Sequence, residues 1–484
     1  MAIKITREEF HAIFVQGEEA TFQLFEKLVE RINALEEKVV ALEARINKDS
    51  HNSSKPPSSD WNRTPKSLRQ KSGKPSGGQP GHEGRSLKQV EQPHHIQEHP
   101  LHGTCECGRD LSKGKRRGYE RRQVFDIPKP AMEVTEHRAE TLECACGRLH
   151  TAEFPKGVDA PVQYGSNVRS MLVYLSQYQL LPQKRITEAM SDLFGVTISE
   201  GTVNKTIRKA YDRLGATEEA IKKAIQGSPV VHGDETGMYI VGKRWWQHGF
   251  STTLFTYFFC HLKRGKMALR DDGILERFFG RLMHDGWMSY FDFDCLHALC
   301  NAHHLRELVF LSEECRQRWA GTMVKMLCHS KKIVDRAKAA GRKQLAPRTL
   351  SYYRKRYDSI IACGNRANPP RIVRNVPGSR GRIKQTPARN LLDRLEKYAD
   401  ETLAFMYDFN VPFDNNTSER DLRMSKVKQK VSGCFRSTFG AQAFCRIRGY
   451  ISTVRKHGLN VFDQIAQCFD PSVNQQILLP EGRE

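Results

Sequence analysis

The chain has 484 residues, and its 77 Lys+Arg against 55 Asp+Glu leave a formal net charge of +22, with 39% hydrophobic and 27% charged residues. That apolar content excludes a wholly disordered chain, leaves room for roughly two to four domains, and the excess of basic charge points to a polyanionic partner. No uncharged run approaches the ~18 to 20 apolar residues of a bilayer span, and MAIKITREEF lacks an export signal, so a cytoplasmic protein with no membrane partner is expected.

Residues 1–50 carry an apolar register, Phe25, Leu28, Ile32, Leu35, Val39, Leu42 and Ile46, in alternating steps of three and four. Such a heptad seam predicts a coiled-coil helix that associates with another copy of the chain. Residues 51–100 are rich in Ser, Pro, Gly and Lys with little to bury, which predicts a basic flexible linker. Residues 101–150 hold two copies of one pattern, Cys105-Glu-Cys107-Gly108-Arg109 and Cys144-Ala-Cys146-Gly147-Arg148. Thirteen Cys in a chain without an export signal are expected to be reduced, and four thiolates on two tight turns suit a structural, tetrahedral Zn²⁺. The intervening runs YERRQVFDI and AMEVTEHRA look like strands, so a zinc-ribbon-like module is expected, with His102 or His150 as substitute ligands.

Residues 151–226 read as a helical DNA-binding segment. Within it RITEAMSDLFGVTISEGTVNKTIRKAYDRL predicts a helix, a turn at Gly195, and a second helix opened by Ser199 or Thr202, a helix-turn-helix pattern. From residue 228 strands take over. PVVHGDETG, KRWWQHGFST and LFTYFFCHL predict an antiparallel meander, KMALRDDGILERFFG a helix, RLMHDGW a further strand ending at Asp285, and HALCNAHHLRELVFL an element passing into helix. An Asp at the tips of the first and fourth strands, followed by an acid on a later helix, describes a multidomain α/β chain with an RNase H-like core. That core spans 227–312 and 401–470, is interrupted by a basic helical insertion at 313–400, and is followed by a tail at 471–484.

The chemistry of such a core requires carboxylates that hold two Mg²⁺ (or Mn²⁺) ions for in-line phosphoryl displacement. Asp234, Asp285 and Glu419 are the predicted triad, with Glu419 on a helix that opens after Asn415-Asn416 and is capped by Thr417 or Ser418. Glu235 adjoins Asp234 but points to the opposite face of a strand; Asp292, Asp294, Asp414 and Asp421 are the other competitors.

Residues 331–390 hold seventeen Lys/Arg against Asp335 and Asp358, and here Tyr352, Tyr353 and Tyr357 interleave with Arg354, Lys355 and Arg356. Phosphate contact is expected from these three basic residues. Residues 411–460 hold ten Lys/Arg against three acids, and Arg423, Lys426, Lys428, Lys430 and Arg436 are expected along the path of the substrate phosphates, setting affinity and position rather than sequence choice. Trp245, Trp246 and Trp287 read as packing residues.

The motifs NSSKPPSSD, GGQPGHEG, HGDETG with GKRWWQ, HDGWMSY, HALCNAHHLREL and DNNTSERDLR, in this order from about residue 25 to 460, resemble the insertion-sequence sixty-six family of bacterial DDE transposases. The resemblance implies a leucine-zipper-like N-terminus, a zinc-binding segment and an RNase H-like domain with a helical insertion before its last acid. It carries the Asp of DET onto Asp234, the Asp of DGW onto Asp285, and the Glu of NNTSER onto Glu419. It further implies element ends and target DNA as substrates, a homo-oligomer, accessory transposition proteins, and association with the bacterial nucleoid. Cys300 and His303 resemble a C-x-x-H element of several such enzymes; thiol and imidazole are able to bind metal, but a structural or DNA-positioning role is the reading adopted.

Overall fold

The computed structural model describes residues 6–46, 87–128, 130–370, 385–470 and 473. The expected linker over 51–86, the middle of the insertion at 371–384 and nearly all of the tail lie outside the described residues. The chain opens with helices α1 (Arg7–Phe14) and α2 (Glu18–Ile46). All seven residues of the heptad seam lie on α2, and all are exposed, from 41% at Leu28 to 81% at Ile46.

Each Cys pair sits in the same tight turn. Cys105 N–H donates to Arg109 O at 2.8 Å and Gly108 N–H to Cys105 O at 2.8 Å; Cys144 and Gly147 repeat this at 2.8 and 2.7 Å. Gly108 (φ +84°) and Gly147 (φ +79°) supply the left-handed backbone that closes each turn. The second turn joins strands β1 (Thr141–Glu143) and β2 (Leu149–Thr151), paired antiparallel from Thr141 to Thr151. The strands expected at 119–127 and 131–139 are absent from the described residues. Val124, Ile127 and Val134 there are more than four-fifths exposed, so the alternating apolar pattern has no surface to pack upon.

Four helices follow: α3 (Ser166–Val173), α4 (Gln183–Phe194), α5 (Glu200–Arg213) and α6 (Gly215–Gln226). The turn between α4 and α5 matches the sequence reading closely: Gly195 caps α4 at φ +67°, and Ser199 caps α5 by accepting the Thr202 N–H. The helices α3 to α5 nevertheless do not form a core of their own. Leu172, Ile186, Met190, Val203 and Ile207 share one apolar cluster with Ile447, Tyr450, Ile451 and Ile465 from helices near the C-terminus.

The sheet comprises β3 (Val230–Ile240), β4 (Lys243–Ser251), β5 (Thr256–His261), β6 (Arg281–His284) and β7 (Leu296–Leu299), with α7 (Lys266–Asp272) between β5 and β6. Its order is β5-β4-β3-β6-β7. The first three strands form the expected antiparallel meander, and β6 then pairs parallel to β3, and β7 parallel to β6. Helices α8 (Asn301–Glu313), α9 (Arg318–Ala339), α10 (Pro347–Ala367), α11 (Pro387–Lys397) and α12 (Ala399–Tyr407) pack with Met283, Ala298 and Cys300 in a second cluster. The basic insertion is therefore a bundle fused to the parallel edge of the sheet. Finally α13 (Asn416–Ser432), α14 (Thr438–Lys456) and α15 (Val461–Gln467) complete the described chain. Among the described residues no helix is long and apolar enough to cross a membrane.

Period-two alternation divides the sheet into two faces. Val231, Phe250, Tyr257 and Leu282 cluster with Ile221 and Ile225 of α6. On the other face Met238 and Ile240 cluster with Phe435 and Phe444, while Phe258 meets Leu422 of α13 and Cys445 of α14. Here α13 approaches the strands closely because β4 carries Gly249. A Cβ at that position would stand 2.9 Å from the Phe258 ring and 3.2 Å from Leu422. Gly249→Val should therefore push α13 outward and lower stability by about 1–3 kcal/mol, read as an earlier urea unfolding midpoint; an unchanged midpoint would mean that the glycine is not what admits the helix.

Candidate active site

Asp234 lies on β3, facing α13, and is paired across the sheet with Gly249. Asp285 is the first residue beyond β6, the parallel neighbour of β3, so the two carboxylates emerge side by side. Glu419 occupies the first turn of α13, one turn before the Leu422 that touches Gly249. The electrostatics register the convergence of all three. Burial first, then the charges of Glu235, Asp285 and Glu419, hold the Asp234 carboxyl well above the usual carboxylate range. Among the described residues Asp234 has no salt-bridge partner; its one recorded hydrogen bond is donated by the Glu235 N–H to Oδ1 at 2.8 Å. Asp285 is held in the same way by the Trp287 N–H at 2.9 Å.

As strand geometry requires, Glu235 turns to the opposite face, where its side chain is only 2% exposed. One carboxylate oxygen accepts from Arg264 Nε at 2.9 Å and Nη2 at 2.5 Å, and the other from the Tyr290 hydroxyl at 2.7 Å. The Arg264 guanidinium lies 4.8 Å from the Trp246 ring centroid and 4.6 Å from that of Trp287. Glu235 and Trp287, the residues whose amides orient the two aspartates, are thus joined behind the site through one arginine. Trp246 and Trp287 are packing residues of a more specific kind than the sequence suggests, and Arg264 gave no sequence signal at all.

Asn415 is the N-terminal residue flanking α13, and neither Thr417 nor Ser418 caps the helix. It has no capping hydrogen bond because its side chain is spent elsewhere. Asn415 Nδ2 donates to Gly233 O at 2.9 Å, Oδ1 accepts from His232 Nδ1 at 2.7 Å, and its backbone N–H donates to Cys300 Sγ at 3.2 Å. Asp421, a competitor by sequence, is structural. Burial raises its pKa, but Lys456 at 2.9 Å and hydroxyls of Ser251, Thr256 and Ser452 outweigh that and leave it lowered. Asp292 lies 3.9 Å from Lys266, and Asp414 accepts from the Asn416 N–H.

Cys300 and His303 stand beside Glu419. The His303 Nδ1 is 3.8 Å from Glu419 Oε1, and Arg306 is 3.9 Å from Oε2. By contrast, no three of Cys105, Cys107, Cys144 and Cys146 lie within ligand distance of one another, since the one candidate metal-holding group among the described residues is Cys300, His303 and Glu419. Within each pair the first thiol is made more acidic: the Cys107 N–H, then its thiol, lowers the Cys105 pKa, and Cys146 does the same for Cys144.

The basic residues divide. Arg423, Lys430 and Arg436 are exposed, but Lys426 donates to Gly237 O and burial lowers the half-buried Lys428 to about 8. In the insertion Lys355 and Arg356 are exposed, whereas Arg354 is committed to Asp358 and Asp400. Tyr353 and Tyr357 are buried, bonding His329 and Leu395 O, so only Tyr352 of the three tyrosines is available at the surface.

The described chain is thus mixed α/β, with acids on β3, just beyond β6 and on α13. A family model described as "Transposase IS66 family" matches residues 161–443, and the chain belongs to that family. A second model, described as a family of unknown function (DUF6444), matches residues 11–88. No curated protein matches the chain.

Because folding raises the Asp234 pKa, the unfolded chain ionises first, so the group costs stability once pH rises above the unfolded value of about 3.9 and costs nothing below it. Asp234→Asn should therefore raise Tm at pH 7 in chelator, and the gain should shrink as pH falls towards about 4. A Tm difference that stays flat with pH would remove the charge explanation.

Proposed function

We propose that the protein is a DNA transposase that binds the ends of its insertion sequence, cleaves them, and joins the freed 3′-hydroxyl to target DNA through Asp234, Asp285 and Glu419. The observation that carries this reading is that Asp285, from the end of β6, and Glu419, from α13, stand near enough to Asp234 on β3 for the charge of each to raise its pKa. Family membership supports it, as does the sheet order, three antiparallel strands followed by two parallel ones, the order expected of an RNase H-like core.

The donors fit a pair of hard divalent cations. All are carboxylate oxygens, Glu419 Oε1 is buried without a hydrogen-bond partner, and Asp234 is surrounded by like charge. Two Mg²⁺ (or Mn²⁺) bound there would supply activation of the attacking oxygen and stabilisation of the leaving one. The chain's own residues do the positioning. Amides of Glu235 and Trp287 fix one oxygen of each aspartate, the Glu235–Arg264–Tyr290 unit closes the rear of the site, and Asn415 sets where α13 begins. Exposed Arg423, Lys430 and Arg436 would neutralise backbone phosphates beyond Glu419, and Lys355 and Arg356 would do so on the insertion. The exposed face of α5, with Lys205, Arg208 and Lys209, is the proposed reader of element ends.

The exposed seam of α2 is proposed to pair with another copy, as holding two element ends requires. Zn²⁺ is proposed on Cys105, Cys107, Cys144 and Cys146 once the two turns close upon each other. Cytoplasmic location, nucleoid association and accessory transposition proteins belong to the same reading. The test is incubation of purified protein with a labelled element end, a target plasmid and Mg²⁺. Joined product is expected; cleavage alone would indicate a nuclease, and binding alone a regulator. Asp234→Asn should reduce joining at least 10³-fold, on the order of a lost essential catalytic group, while leaving DNA retention in a gel unchanged; persistent joining would overturn the triad.

A further inference from the structure

The group formed by Cys300, His303 and Glu419 has a chemistry different from that of the all-carboxylate site. One sulfur, one imidazole nitrogen and one carboxylate oxygen lie within 4.8 Å of one another. Cys300 joins β7 to α8, His303 sits in the first turn of α8, and Glu419 in the first turn of α13. A tight turn fixes the first two, the His303 N–H donating to Cys300 O at 3.2 Å, and the Asn415 N–H already donates to the sulfur at 3.2 Å.

Two of the donor atoms are orphans. Neither His303 Nδ1 nor Glu419 Oε1 has a hydrogen-bond partner, although both atoms are buried, and they face each other across 3.8 Å. That gap is too long for a hydrogen bond. Two N/O donors at about 2.1 Å from one tetrahedral ion stand roughly 3.4 Å apart, so the gap is a few tenths of an ångström from ligand spacing. The second Glu419 oxygen is turned to Arg306 at 3.9 Å, leaving Oε1 free to ligate. Entry is through the partly exposed side, where His303 and Glu419 are 19% and 24% exposed.

We infer that Cys300, His303 and Glu419 form a three-ligand site for a borderline divalent cation such as Zn²⁺, with its fourth position open to water or to a DNA phosphate. Sulfur and imidazole select such an ion over Mg²⁺. Binding forms one metal–sulfur bond, releases the Cys300 thiol proton to solvent, and changes no oxidation state. Because Glu419 is shared, an ion held here would occupy the carboxylate that the reaction proposed above needs, and would oppose it. The binding itself does not rest on that reaction.

The test uses the full chain, reduced with a phosphine, dialysed against Zn²⁺ and then metal-free buffer, with bound zinc counted by mass spectrometry in the absence of DNA. His303→Gln and Cys300→Ser should each hold one zinc fewer per chain than the parent, while Cys105→Ser should still lose zinc when combined with His303→Gln. After Co²⁺ substitution, the parent-minus-Cys300→Ser difference spectrum should show a thiolate charge-transfer band. Equal zinc content in parent and His303→Gln, with identical circular dichroism, would overturn the inference; because His303 is partly exposed, this variant decides even if Cys300→Ser fails to fold. Loss of the joining reaction in every assay would sink the transposase reading without touching the zinc count.

Discussion

The arrangement of the acidic residues depends on where α13 begins, and Asn415 sets that point. One buried amide bonds His232 and Gly233 O of β3, while its backbone N–H bonds the sulfur of Cys300, between β7 and α8. Four residues later the chain delivers Glu419. This clamp ties the start of α13 to β3 and to the junction of β7 and α8, and so places an acid on a helix against two acids on strands. Burying a primary amide is costly unless its groups are paired, and here both its oxygen and its nitrogen are used. Further along α13 the Asp421 network with Lys456 and three hydroxyls, and the close approach at Gly249, hold the same helix to the sheet.

Behind the aspartates, a second unit works by a different principle. Glu235 is buried, and burial together with the Asp285 charge raises its pKa, which Tyr290 and Arg264 oppose. The Glu235 charge is the largest of those that raise the Asp234 pKa, although its side chain turns to the far face. The Arg264 guanidinium between two indoles and the Tyr290 hydroxyl hold Glu235 there as part of the scaffold behind the aspartates.

Most of the sheet was legible in the sequence because its signals are local. β-branched and aromatic runs marked β3, β4 and β5, Gly195 and Ser199 marked the turn between α4 and α5, and strand alternation separated Asp234 from Glu235. The misreadings share one cause: partners distant in sequence. Tyr353 and Tyr357 look like surface rings beside Arg354 until α11 and α9 close over them. Thr417 and Ser418 look like helix caps, whereas Asn415 flanks the helix and spends its side chain on strands far upstream. The runs at 119–127 and 131–139 have strand composition but no second surface to bury, so pattern alone does not make them strands.

The shared cluster between α3–α5 and the helices near the C-terminus bears on how the molecule comes into being. During synthesis the early helices leave the ribosome with Leu172, Ile186 and Ile207 uncovered, and their cover is translated only after the sheet and the insertion. A nascent chain that already has Asp234 and Asp285 still lacks α13, so Glu419 reaches them only once the whole insertion has been made. Termination within the insertion would therefore leave those apolar faces bare and the three acids apart.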